Sequence, residues 1–201
     1  MRLARVEVAG EAFWALLASP SGPLRRIRAP FAEWVAALAR QGIAALDLAA
    51  EPIELARCRL LPPLQPGARV FGVGLNYLSH LQRLGSAAPA HTLAYLKTDS
   101  TLLGPLDDIQ YPPLTAELDY EVELVAMVAR PLLDEPRASS CLLGYTVGND
   151  ISARDAGRQI GRLDGVVVAV ADAALQRVRV AGLPAAEAAL GHVGRARAHV
   201  G

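Results

Sequence analysis

Aromatic residues make up only 5% of this 201-residue chain, and none occurs after Tyr145. An excess of charge of either sign is missing too. Lys plus Arg equals Asp plus Glu at 20 each, so the formal net charge is zero and nothing suggests a field for capturing nucleic acid or an anionic membrane. No apolar run approaches the roughly 20 residues of a membrane-spanning helix. The start, Met1-Arg2-Leu3-Ala4-Arg5-Val6-Glu7, lacks the apolar stretch of a signal peptide, so the cytosol is the expected compartment. Cysteine is limited to Cys58 and Cys141, without metal-ligand or redox spacing, and both read as free thiols in apolar settings. Lysine is scarcest: Lys97 stands alone among many arginines. Where arginine serves as the generic cation, a surviving lysine is a candidate for chemistry that needs a compact ammonium.

What is present is apolar material, 52% of residues at a mean hydropathy of +0.26, enough for one medium domain or a small domain joined to a larger one. Residues 1–65 read as a small N-terminal module. Alternation in Leu3–Val8 and the run Phe13–Leu17 predict a hairpin turning at Gly10-Glu11. A helix follows from Pro30, with Phe31, Trp34, Val35, Leu38 and Ala39 on one stripe and Gly42 past its end. Leu60–Gly67, with three prolines, reads as a stiff linker.

The second region, 66–163, is expected to be strand-dominated, which makes the chain β-rich α+β. Strands are predicted over Arg69–Gly74, Leu93–Lys97, Glu121–Ala129 and Leu142–Asn149. Short helices are predicted before Gly85, near Pro136–Cys141 and from Ser152. Residues 164–201 form an atypical tail of Ala, Val, Arg and Gly. Val166–Val170 could be a strand there and Pro184–Leu190 a helical turn or two.

Within the second region, Leu118-Asp119-Tyr120-Glu121-Val122-Glu123-Leu124 alternates acid with apolar residue. As one extended strand it would line Asp119, Glu121 and Glu123 along one face. Such a row repels itself unless water or a hard cation neutralises it. A further acid, Asp150, ends the next apolar run. Alone, Glu121 and Glu123 fit a solvated strand face, Asp150 fits a helix N-cap, and His80 fits a helix surface. Arg154 and Asp155 read as a local ion pair, Tyr77 and Tyr120 as core or supporting residues, and His91, His192 and His199 as surface residues. Gly72 and Gly74 lack the third glycine of a phosphate-binding loop.

Taken in order, Gly74-Leu75-Asn76-Tyr77 with His80, Tyr95-Leu96-Lys97, Leu102-Leu103-Gly104-Pro105, Glu121-Val122-Glu123 and Gly144–Asp155 resemble the fumarylacetoacetate hydrolase family, including its 2-hydroxyhepta-2,4-diene-1,7-dioate isomerase and acylpyruvate-cleaving members. The resemblance implies a mixed β-roll, here incomplete, preceded by a small N-terminal α+β domain. It implies Mg²⁺ or Mn²⁺ on Glu121, Glu123 and Asp150, with Lys97 binding substrate or stabilising charge and His80 as the base. The implied substrate is a small 2-oxo or 1,3-diketo acid that is hydrolysed, isomerised or decarboxylated through a metal-stabilised enolate, in aromatic-compound or central carbon catabolism. The implied assembly is a homodimer.

Two departures qualify that expectation. Many members carry Glu three residues after the histidine, where this chain has Arg83. A cation there disfavours a second positive charge on the imidazole and so weighs against a hydrolytic route. Beyond about residue 163 the expected Lys-Ser-Phe-Asp-like stretch and later strands do not follow, so the tail reads as an out-of-frame or degenerate replacement. The alternative function is then a catalytically inactive chain acting at most as a binding or dimerisation partner.

Overall fold

The computed structural model describes residues 1–17, 19, 22–113, 115–131, 135–155 and 168–169. Strands β1 (Arg2–Val8) and β2 (Glu11–Leu17) form the expected hairpin. Its turn lies one residue earlier than predicted, at Ala9-Gly10, where φ values of +51° and +83° give the left-handed pair that a tight two-residue hairpin requires. Strands β3 (Leu24–Ile27), β4 (Leu48–Ile53) and β5 (Arg59–Leu61) complete an antiparallel sheet in the order β4-β3-β2-β1-β5. β5 shortens the predicted linker: Leu60 and Leu61 pair with Val6 and Arg5, and the prolines begin only after them.

Helix α1 (Phe31–Gln41) follows Pro30 and buries Trp34, Val35 and Leu38, the stripe its spacing predicts. Trp14, Phe31 and Trp34 pack as a trio, with ring centroids 5.1–5.6 Å apart. Leu3, Leu16, Ile27, Leu46 and Leu143 share this cluster, and Met127 and Ala129 pack against it. The core begun by the first sheet therefore continues into the second region.

There, β6 (Val70–Gly74) and β7 (Leu93–Lys97) pair antiparallel, flanking helix α2 (Leu78–Leu84). α2 ends on Gly85 at φ +62°, the left-handed cap that glycine adopts without a Cβ penalty. Strands β8 (Leu102–Leu103), β9 (Leu118–Asp119), β10 (Val122–Val128), β11 (Leu142–Asp150), β12 (Ser152–Ala153) and β13 (Val168–Ala169) follow, with a 3₁₀ segment at Glu135–Cys141. They form a four-stranded sheet, β10-β11-β13-β8, and a two-stranded sheet, β12-β9. β13 lies antiparallel to β11 and parallel to β8, inside the predicted Val166–Val170 strand. The molecule is strand-rich α+β, as expected.

Two expectations are corrected. The helix expected from Ser152 opens two residues later: Ser152 and Ala153 pair with Asp119 and Leu118, and Arg154 and Asp155 are helical. The acidic stretch is not one strand, because Tyr120 and Glu121 separate β9 from β10. The helical turn predicted at Pro184–Leu190, His192, His199 and most of the 164–201 tail lie outside the described residues. Among the described residues, no helix is long and apolar enough to cross a membrane. Cys58 is half-buried and Cys141 buried, both as free thiols.

Candidate active site

β10 and β11 set the register of the site. Val122 lies opposite Asn149 and Glu123 opposite Gly148, while the Asp150 amide donates to the Glu121 carbonyl at 2.8 Å. Glu121 and Asp150 are thus cross-strand neighbours on one face, and Glu123 lies two residues along it. Along β10, Glu123, Val125 and Met127 are half-buried, whereas Val122, Leu124 and Val128 are exposed. Alternation in the sequence fixes which residues share a face. It leaves open which face turns inward, and here the acidic one does.

Asp150 is the most enclosed member of this face, with 6% of its surface exposed. Its two carboxylate oxygens have separate partners: Lys97 pairs with Oδ1, and the Tyr95 hydroxyl donates to Oδ2 at 2.7 Å. Lys97 and Tyr95 are two residues apart on β7 and share a face, and the ammonium also sits 5.1 Å from the Tyr95 ring centroid. Asp150 belongs to a strand, so the N-cap alternative is set aside. In the sequence Tyr95 stands out only within the Tyr95-Leu96-Lys97 motif, with no role of its own, and its i−2 relation to Lys97 is the signal that points to one.

Glu121 has a cationic partner of its own. Arg154 Nη2 lies 2.5 Å from Glu121 Oε1, and Arg154 Nε donates to Asp119 Oδ2 at 3.1 Å. This corrects the local Arg154–Asp155 pair: Asp155 instead accepts from the Thr115 hydroxyl and the Ala116 amide. Asp119 is exposed and turned to Arg154, so it does not continue the inward row.

The carboxylates act on one another electrostatically. Burial raises the Glu123 pKa above its ordinary value, and the negative charges of Asp150 and Glu121 raise it further, against an opposing pull from Lys97. Burial also pushes the Tyr95 phenol up, followed by its bond to Asp150 and the fields of Glu123 and Glu121. Both directions record negative charge concentrated in a partly desolvated place.

His80 lies on α2 and is half-buried. Among the described residues, no hydrogen bond or ion pair joins its side chain to the carboxylates. Its helix is nonetheless tied to the acidic strand, since the Tyr77 hydroxyl accepts the Leu124 amide at 2.9 Å, next in sequence to Glu123. Arg83 is exposed one turn beyond His80, and His91 is exposed as expected.

Residues 69–174 match the model of the family described as fumarylacetoacetate (FAA) hydrolase, C-terminal. The chain belongs to this family. It is similar to the fumarylacetoacetate hydrolase domain-containing protein 2 homolog of Dictyostelium discoideum, 40% identical over 106 residues that make up 52% of this chain and 34% of that one. It is also similar to the human mitochondrial oxaloacetate tautomerase FAHD2A, 32% identical over 97 residues covering 47% and 31% of the two chains. Among solved structures, the 2-hydroxyhepta-2,4-diene-1,7-dioate isomerase of Mycobacterium marinum superposes with a TM-score of 0.66 at 26% identity, covering 89% of this chain and 67% of that one. The chain spans about a third of the length of these two curated relatives.

Members of the family are generally dependent on divalent metal. The donor set fits such an ion in kind: three hard carboxylates, mutually repelling, on one inward face. In the present orientation Asp150 is held by Lys97 and Tyr95, and Glu121 by Arg154. Among the described residues, no three His, Cys, Asp or Glu side chains already converge as a closed cage.

Proposed function

We propose that this fumarylacetoacetate hydrolase family chain is a divalent-metal-dependent enzyme acting on small 2-oxo or 1,3-diketo acids. The observation that carries the reading is the inward carboxylate face, with buried Asp150 at its centre and the lone lysine of the chain paired to it. Glu121, Glu123 and Asp150 would hold Mg²⁺ or Mn²⁺. Bound there, the ion would supply Lewis-acid polarisation of the oxygens of a 2-oxo acid and favour its enol form.

The protein's own groups divide the remaining work. Lys97 offset the charge of Asp150 and brings a three-donor ammonium to the same place, suited to an anionic substrate oxygen. His80 would move the proton at the carbon next to the oxo group, since neutral imidazole accepts a proton near pH 7. The Tyr77 link holds the helix bearing His80 against the strand bearing Glu123. With Arg83 where an acid would support hydrolysis, proton transfer between keto and enol or between double-bond positions suits these residues better than hydrolysis. The tautomerase and isomerase names of the human and M. marinum relatives support that preference. A homodimer is the assembly that this reading expects.

A second reading, a catalytically silent chain acting by contact, is favoured by one observation. Phe71 and Leu96 face each other across β6 and β7 and remain 61% and 57% exposed. Thermal unfolding with and without millimolar Mg²⁺ or Mn²⁺ separates the two. The enzyme reading expects a higher Tm with metal, lost in Glu121→Gln, together with keto–enol turnover of a small 2-oxo acid such as oxaloacetate. No metal shift and no turnover would leave the contact reading.

A further inference from the structure

We propose that Tyr95 is a positioning residue which, together with Lys97, fixes the plane of the Asp150 carboxylate, and that glycine at position 72 is what admits it. The proposal deepens the metal-site reading, and its consequences for metal affinity rest on that reading. The contact itself stands on geometry alone.

A carboxylate turns readily about its terminal torsion, which is broad and two-fold. Lys97 on Oδ1 supplies charge but little orientation, because an ammonium is a compact point charge on a flexible stem. A second donor on the other oxygen removes that freedom, and the Tyr95 hydroxyl is there at 2.7 Å. The phenol is neutral, so it orients Asp150 without adding a positive charge that would oppose a cation. Arg154 on Glu121 is the contrasting case.

Gly72 makes room for this arrangement. It lies directly opposite Tyr95 across the hairpin and is buried. A Cβ built on it would overlap Cζ, Cε2 and the hydroxyl oxygen of Tyr95, the end of the ring that reaches Asp150. At Gly74 a Cβ would meet Tyr95 only at Cε1, 3.9 Å away, an ordinary contact. The constraint is therefore specific to position 72. Even the smallest side chain there would push the hydroxyl off its acceptor.

The test uses the full chain labelled with ¹³Cζ-tyrosine. It gives five signals, of which Tyr95→Phe identifies the one that matters. Asp150→Asn and Gly72→Ala are both expected to shift the Tyr95 signal, and an unmoved signal in Asp150→Asn overturns the proposal. In parallel, Mn²⁺ binding is followed by electron paramagnetic resonance, with metal-free thermal unfolding as a check on folding. Tyr95→Phe is expected to weaken Mn²⁺ about tenfold or more, the usual cost of losing a group that orients a metal ligand. Adding Gly72→Ala to Tyr95→Phe should weaken it little further, because both remove one hydrogen bond. Unchanged Mn²⁺ affinity in Tyr95→Phe, where the parent chain binds the ion, overturns the proposal and leaves the metal reading intact. A parent chain that binds no Mn²⁺ removes the metal reading instead, and the Tyr95 signal then decides the positioning role. If Gly72→Ala does not fold, Tyr95→Phe, which keeps the ring and drops one oxygen, carries the test.

Discussion

Lys97 and Asp150 form an ion pair whose side chains are only 9% and 7% exposed, across 53 residues of sequence. A pair this enclosed behaves differently from one at the surface. Its attraction offsets two desolvation penalties, so the net gain over an apolar pair is small, but removing one partner strands the other.

Lys97→Met is therefore expected to destabilise the metal-free chain by about 3–5 kcal/mol, the usual cost of an uncompensated buried charge. Adding Asp150→Asn should recover much of that loss. Equilibrium unfolding in urea of the parent, the single variants and the double variant measures both. A double variant as unstable as the sum of the singles would show that the two residues act independently.

Glu123 carries the pH dependence. Burial and the charges of Asp150 and Glu121 place its pKa above the ordinary 4.5. In the window just above that value the native state binds more protons than the unfolded chain, so Glu123 makes stability fall as pH rises. Below the unfolded value the penalty disappears. Glu123→Gln should remove this component, raising metal-free stability at neutral pH and flattening its fall between the two pKa values. Thermal unfolding of parent and variant across roughly pH 4–8, the carboxylate window and above, checks the sign. A variant less stable than the parent at neutral pH would contradict it.

Arg154 competes for a carboxylate that a cation would need. Its pair with Glu121 is half-exposed, so its contribution to stability is expected to be about 1 kcal/mol or less. Its charge beside Glu121 should nonetheless oppose a second cation. Arg154→Gln is expected to leave Tm nearly unchanged and to tighten Mn²⁺ binding, measured by metal titration at low ionic strength. Weaker Mn²⁺ binding in the variant would assign Arg154 a supporting role instead.

The contrast between Lys97 and Tyr95 shows what the sequence made legible. Lys97 drew attention because composition singles it out, and the acids at Glu121, Glu123 and Asp150 because period-two alternation brings carboxylates together. Tyr95 shares the Lys97 face by the same alternation, yet its acceptor lies 55 residues away and only tertiary structure brings it near. The break at Tyr120-Glu121 was equally hidden, because the alternating pattern runs straight through it. Inward and outward faces of β10 were ambiguous because one side is acidic and the other apolar. A charged face turns in only where partners such as Lys97 meet it. Leu60 and Leu61 were masked as strand by the prolines that follow them, and Ser152-Ala153 by a helical pattern that pairing with β9 overrides.

The last prediction concerns the link between the first sheet and the site. Leu143 is 5% exposed and belongs to the cluster of Leu3, Trp14 and Trp34, while Asp150 sits at the far end of the same strand, β11. Trp14 and Trp34 are the chain's two tryptophans, so their fluorescence reports that cluster alone. Leu143→Ala should create a cavity costing about 2–5 kcal/mol, depending on how far the surrounding rings collapse. Because the cluster is continuous, urea unfolding followed by tryptophan fluorescence and by far-ultraviolet circular dichroism should give coincident transitions, and both should move in the variant. The ¹³Cζ signal of Tyr95 should vanish over the same denaturant range. If fluorescence kept its midpoint while the Tyr95 signal was lost earlier, the first sheet and the site would be separate cooperative units.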